Sequence, residues 1–423
     1  MALRPLFRDI AAALREKEGS GEPIPARDFP RRIRALPSLP EDLRTIRLLP
    51  APAEGGAVLG GGLASAGMTV TAEARPAAGY RFRGWQEAGG LVSPDPVYTF
   101  PVQGDRSLTA DFFLPQSLPG RDWKSAVLPA GGWSAITWGG GKFVALSGQN
   151  QNSLAAYSAD GVRWTASTLP AAGPWSSVAW GGGRFLAVQG NPGVSGTGTD
   201  AGAVSTDGVH WTKVTLPYAS IWTGLTYGDG KFVAVSPTRR AVWSEDGTVW
   251  QKSAIQTGGT WHAVAYGAGK FVVVERSSGF AAYSEDLTTW KRTAMPAEAE
   301  WCAVTYGGGK FVALAGGAYG VSSRAAYSAD GVHWTEAALP EEARWYGVAW
   351  GGDCFAAVAS ARYGSGKVCA YSAGGIQWQR AEMPEEAAWR AVAFGQDRFA
   401  AVADKQGTGA YGSSAAAAYS LEA

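Results

Sequence analysis

One tryptophan returns seven times along this chain. Trp133, Trp175, Trp222, Trp261, Trp301, Trp345 and Trp389 stand 42, 47, 39, 40, 44 and 44 residues apart. Each opens a unit with the same four parts: W-x-x-V-x-Y/W-G (Trp261 to Gly267), K-F-V-A-V (Lys231 to Val235), A-A-Y-S (Ala325 to Ser328), and a tryptophan that follows D-G (Asp330, Gly331, Trp334). The parts read as four short strands, A to D, and a period near 42 residues is that of a four-stranded blade. The A–B turns read Gly-Gly-Gly-Lys (Gly139 to Lys142) or Gly-Asp-Gly-Lys (Gly228 to Lys231), chemistry suited to two-residue hairpins. Ala159-Asp160-Gly161 predicts another hairpin between strands C and D. Strand B is apolar at successive residues (Phe271, Val272, Val273, Val274), as expected when sheets cover both its sides.

A broken unit sets the count. The last repeat has Trp389, Phe399, Tyr419 and Ser420, then stops at Ala423 without its fourth strand. The missing piece precedes the first repeat, at Asp122-Trp123, and Val127-Leu128-Pro129 matches Thr168-Leu169-Pro170. The strand at Trp123 is therefore predicted to complete the seventh blade and close a ring. Closure removes the sheet edges that an open array would expose. The expected fold is mainly β: a seven-bladed β-propeller over 115–423, a small all-β domain over 44–114, and a short helical segment over 1–43.

Composition agrees. Glycine (58) and tryptophan (19) are abundant, which fits many short strands joined by tight turns. A net charge of +1, with 17% charged residues, argues against nucleic-acid binding. Cys302, Cys354 and Cys369 are too few and too scattered for a disulfide framework or zinc site, and read as small buried side chains. No apolar core of an export signal survives among Arg8, Asp9, Arg15, Glu16 and Lys17, and no window is apolar enough to span a membrane. The expectation is a protein made in the cytosol without membrane insertion.

Three stretches resemble known families. Ser158, Asp160, Gly161 and Trp164, repeated at Ser328, Asp330, Gly331 and Trp334, resemble the Asp-box of sialidase-type propellers, though one residue shorter before the tryptophan and with Gly374 replacing the aspartate in blade six. In that family the box is a structural turn, so the resemblance implies fold and not catalysis. Pro52 to Gly56, Val70 to Ala74, Gly79 to Trp85, Tyr98 to Phe100 and Leu108 to Phe112 resemble a bacterial β-repeat of surface and phage tail proteins, which implies a spacer. Ile10 to Lys17 and Pro23 to Leu36 are similar to the N-terminal segment of some phage tail proteins. Two narrow apolar stripes there (Leu6, Ile10, Ala13, Leu14; Phe29, Ile33, Leu36) bury little alone and suit docking on other virion proteins or on copies of the chain. The combination implies a virion protein that forms a homo-oligomer and recognises a bacterial surface glycan or protein. Alternatives are a sialidase-like enzyme and a structural propeller that binds neighbouring tail proteins.

No catalytic constellation stands out, and no metal or cofactor is expected. The Gly-Lys turns continue into Phe143 and a strand, not into the Ser/Thr and helix of a phosphate loop. His210 and His333 share one repeated slot. Glu298-Glu300, Glu341-Glu342 and Glu385-Glu386 recur in the D-to-A connectors and read as solvated turns.

The loops instead point to binding. The A–B and C–D turns are uniform, whereas the B–C loops on the other face differ in every blade. Candidate ligand-binding residues there are Gln149, Asn150, Asn152, Asn191, Arg239, Arg240, Arg276, Tyr319, Arg324, Arg362, Tyr363 and Tyr411. The position after each opening tryptophan also varies: Ser134, Ser176, Thr223, His262, Cys302, Tyr346, Arg390. With strand A innermost, this ring should surround the channel mouth on the variable face, and His262, Tyr346 and Arg390 join the candidates. A regular scaffold with one irregular face is suited to recognition.

Overall fold

The computed structural model describes residues 43–420, apart from 78–79, 94, 114–119, 149–151, 191–197, 256–258, 277, 318–319, 362–364 and 407–413. The predicted helical segment lies outside the described residues. The chain divides into two compact units, 1–114 and 115–423.

The described part of the first unit has a five-stranded and a three-stranded sheet. Its first strand, Leu43–Ala51, runs parallel to its last, Arg106–Phe113, with Leu48 beside Leu108. Alternate residues of these and the neighbouring strands bury Ile46, Ala72, Trp85, Phe100, Leu108 and Phe112 in one core. Arg106 bonds the Glu87 carboxylate at 2.5–3.1 Å and stacks on Phe100 at 4.3 Å.

In the second unit the repeat grammar becomes geometry. Blade one is the antiparallel sheet Trp133–Gly139, Lys142–Ser147, Leu154–Ser158, Thr165–Thr168. Blades two to six repeat that order. Each A–B turn has two consecutive residues with positive φ, from Gly140 and Gly141 to Gln396 and Asp397, as type I′ hairpins require. Strand B is buried throughout, for example Phe271 to Val274.

The glycine that ends strand A explains the W-G and Y-G pairs. A Cβ on Gly139 would lie 1.9 Å from the ring of Trp180 in the next blade. The same close approach joins Gly181 to Tyr227, Gly228 to Tyr266, Gly267 to Tyr306, Gly307 to Trp350 and Gly351 to Phe394, and returns from Gly395 to Trp138. Each aromatic in turn packs on the strand-B phenylalanine of its own blade, Trp138 on Phe143 at 4.6 Å. The glycine–aromatic step repeats seven times and closes on itself.

The split blade completes the circle. Trp123–Gly131 lies antiparallel to Ser414–Ser420, with Ser420 opposite Trp123 and Ala417 opposite Ala126. The Trp123 indole donates to the Gly120 carbonyl at 2.8 Å, as Trp164 does to Gly161 at 3.1 Å. The larger unit is a seven-bladed β-propeller.

Two local expectations need correction. Strands C and D do form the expected antiparallel hairpin, Tyr157 opposite Thr165, but the connection is longer than Ala159-Asp160-Gly161: strand C ends at Ser158 and strand D starts at Thr165. Ser158 Oγ accepts the Gly161 amide, and Asp160 Oδ1 accepts the amides of Val162 and Arg163. Side chains thus satisfy the backbone that a tight hairpin would have paired in the ladder. Blades two, three, four and five repeat the bond of a serine hydroxyl to an aspartate, and Leu287 takes the glycine slot in blade four at φ 61°. The Glu341-Glu342 and Glu385-Glu386 connectors are not turns either. They lie within continuous strands, Thr335–Gly351 and Gln379–Gly395, that serve as strand D of one blade and strand A of the next.

Candidate functional site

The variable ring has a backbone cause. Where strand A begins to pair with strand B, the ladder steps from Trp133 to Ala135, from Trp175 to Ser177, from Trp261 to Ala263, from Trp301 to Ala303, from Trp345 to Gly347 and from Trp389 to Ala391. The residue passed over sits on a β-bulge, which takes a side chain out of the ladder and re-aims it. Those residues are Ser134, Ser176, His262, Cys302, Tyr346 and Arg390. In blade three the ladder begins only at Gly224, which leaves Thr223 in the same place. All seven line one cavity of about 600 Å³, together with Arg276, Asp404 and the residues that follow several B strands, such as Gly148, Gly190 and Pro237. The cavity is therefore the mouth of the channel on the B–C face. Beneath it a smaller space of about 190 Å³ is lined by Ile136, Val178, Val264, Val304, Val348 and Val392.

Five of the seven ring positions also hold blades together. Ser134 Oγ donates to the carbonyl of Trp175 at 2.5 Å, Ser176 Oγ to that of Trp222 at 2.6 Å and Thr223 Oγ1 to that of Trp261 at 3.4 Å. His262 Nδ1 donates to the Cys302 carbonyl at 3.0 Å and Cys302 Sγ to the Trp345 carbonyl at 3.0 Å. Each partner belongs to the next blade. A carbonyl only accepts, so every one of these side chains has committed a hydrogen. His262 is thereby fixed as the tautomer with Nε2 as a lone-pair acceptor. Burial, then the Arg276 charge, depress its pKa to about 4 against the opposing Cys302 carbonyl, so it is neutral near pH 7. Burial pushes the Cys302 thiol up to about 12, which keeps it a donor.

Tyr346 and Arg390 break the pattern. The Arg390 guanidinium stacks on Tyr346 at 3.9 Å and donates twice to Asp404 Oδ2, at 2.9 and 3.2 Å. The pair is partly exposed, 26% for Arg390 and 35% for Asp404, and faces the cavity.

The structure sorts the remaining candidates. Arg276 lines the mouth with His262, Tyr346 and Arg390. Arg324 does not: it pairs with Glu336 on strand D of its own blade. Arg240 bonds the Ala219 carbonyl at 2.6 Å and stacks on Tyr218, and Arg239 is exposed at φ 64°. Asn152 accepts the Leu154 amide at 3.3 Å, within its own loop. Gln149, Asn150, Asn191, Tyr319, Arg362, Tyr363 and Tyr411 lie outside the described residues. Sequence reasoning missed Asp404. The signal was a carboxylate on the last B strand, Arg398–Gln406, directly after its buried apolar run Phe399 to Ala403. His210 and His333 pair with Asp207 and Asp330 of their own turns at 2.7 Å and do not line the mouth cavity.

Residues 48–114 match the divergent InlB B-repeat domain family. The chain matches no curated protein sequence. Among solved structures, the propeller is similar to a virginiamycin B lyase from Staphylococcus aureus, with a TM-score of 0.59 and 12% identity over 71% of this chain and 100% of that one. It is similar to YCF48 bound to D1 peptide (TM-score 0.53, 14% identity, 73% and 99%) and to the RRP9 WD40 repeats (0.54, 10%, 72% and 98%). At these identities the likeness is one of fold.

Proposed function

We propose that this protein is a recognition module that binds its ligand at the channel mouth and the surrounding B–C loops. The observation that carries this reading is the cavity itself. It lies on the irregular face, its size is that of a ligand pocket, and a bulge in strand A aims one chemically different side chain into it from each blade.

The setting we propose is a phage tail or fibre. Residues 1–43 would attach to other virion proteins, the β-repeat domain would hold the propeller away, and the mouth face would bind a glycan or protein on a bacterial surface. The resemblance of residues 1–43 to tail proteins supports this, and so does the pairing of a β-repeat spacer with a propeller. Binding is favoured over sialidase-type catalysis, which needs several arginines at one point. Arg276 and Arg390 share the mouth, but Arg390 is paired with Asp404, and Arg240 and Arg324 are held elsewhere, on Tyr218 and Glu336.

The test is cell binding by the full-length chain. Fluorescently labelled protein should bind some strains of a bacterial panel saturably, and substitution at the mouth (Tyr346→Ala, Arg390→Ala) should abolish it. Failure to bind any strain, or binding that survives both substitutions in folded protein, would sink the proposal.

A further inference from the structure

We infer that the mouth cavity binds a neutral, hydroxyl-rich glycan. This rests on the recognition reading and narrows its ligand. The starting point is the direction of the hydrogens. Ser134, Ser176, Thr223 and His262 have given theirs to carbonyls of the next blade. What they have left to offer is lone pairs. Asp404 adds to this: Arg390 occupies its Oδ2 from both Nε and a terminal nitrogen, and Oδ1 has no partner among the described residues. Blades one to four, with Asp404, therefore make a lining rich in acceptors. The donors come from Arg276 and Arg390.

Three ligand chemistries can be weighed against that lining. A carboxylate or phosphate would be attracted by Arg276 but would meet the lone pairs of blades one to four and the Asp404 carboxylate, and Arg390 is already paired with Asp404. An ammonium would suit the acceptors but would meet the Arg276 charge, which Asp404, paired with Arg390, does not offset. A sugar hydroxyl both donates and accepts, so one polyol can satisfy the hydroxyl and imidazole acceptors while receiving bonds from the arginines. An unmatched buried polar group costs more than a matched one returns, which makes this complementarity selective. The cavity of about 600 Å³ is of the size of a small-ligand pocket.

The experiment uses the full-length protein with methyl β-galactoside, methyl α-glucoside, methyl α-mannoside and N-acetylglucosamine, set against glucuronic acid and N-acetylneuraminic acid. Saturation-transfer NMR and calorimetry read binding, and the cell panel is run in parallel. At least one neutral sugar should bind saturably and compete with cell binding. Asp404→Asn should weaken it about tenfold or more, the loss expected of one bond to a charged group. Lys142→Ala, on the opposite face, should leave it unchanged. Should Asp404→Asn fail to fold, Arg276→Gln carries the same expectation. Binding confined to the acidic sugars would overturn the inference, as would neutral-sugar binding indifferent to both mouth variants. Cells bound without competition by any neutral sugar would overturn it and leave the recognition reading standing. No binding to cells or sugars would remove both.

Discussion

The two faces of this propeller are built from the same strands, yet they use their residues differently. On the turn face every blade solves the same problem in the same way. A type I′ turn joins strands A and B in all seven, and in blades one to six a serine hydroxyl that accepts a backbone amide organises the C–D connection. On the mouth face one bulged position is filled by serine, threonine, histidine, cysteine, tyrosine or arginine. Even there the freedom is limited. Five of the seven side chains still reach a carbonyl of the next blade, and only Tyr346 and Arg390 are released from that duty. Variation at the mouth is thus mostly a choice of latch, and Tyr346 and Arg390 are the two ring positions that do not serve as one.

The sharpest way to break this contrast is at the closing strand. Trp123→Ala should cost about 3–5 kcal/mol, as for a buried large aromatic, measured by urea denaturation. A cost below about 1 kcal/mol would mean that the ring does not depend on its split blade. Gly307→Ala should follow at about 2–3 kcal/mol, because the new Cβ would lie 1.9 Å from Trp350 and neither partner can yield without shifting a blade. Ser176→Ala tests whether a mouth residue serves the scaffold. Losing the donor to the Trp222 carbonyl should cost about 1–2 kcal/mol. By contrast, Tyr346→Ala should change stability by less than that while removing ligand binding. If Ser176→Ala proved neutral and Tyr346→Ala unfolded the protein, the division of labour proposed for the ring would be reversed.

Acid separates the faces more gently. His262 titrates near 4 when folded against 6.5 ordinarily. The unfolded chain then holds more protons than the native one between those values, so stability falls as pH drops from about 6.5 to 4 and this contribution levels off below. Asp160 is held at about 2, below its ordinary 3.8: burial raises it, but the amides of Arg163 and Val162 and the Ser158 hydroxyl prevail. Its contribution is complete above 3.8 and is lost as pH falls towards 2 and below. His262→Gln should flatten the upper part of a stability–pH profile, and Asp160→Asn the lower part. A single slope unaffected by either substitution would refute the assignment.

Seven blades, the strand order and the split closure were legible because each is written as a repeat, and a repeat is visible without partners. The ring at the mouth was legible as a position. Its chemistry was not. That Ser134 serves the carbonyl of Trp175 depends on a contact 41 residues away. The arginines could not be sorted for a similar reason. Arg276, Arg240 and Arg324 all flank B–C loops in the sequence, and only the fold turns Arg276 to the cavity and Arg324 to Glu336. The C–D hairpin was legible but the length of its turn was not, because Asp-Gly occurs both in two-residue turns and in turns that an aspartate side chain organises. Which one forms depends on whether the preceding serine can take the glycine amide.

The closing strand has a mechanical meaning as well. Trp123–Gly131 runs from the turn face towards the mouth face, so the chain enters the propeller on the side opposite the cavity. Tension between that point and the mouth face pulls along the strand, and it loads the bonds to Ser414–Ser420 together in shear rather than one after another. The seam that closes the ring is therefore set to resist pulling along its own length.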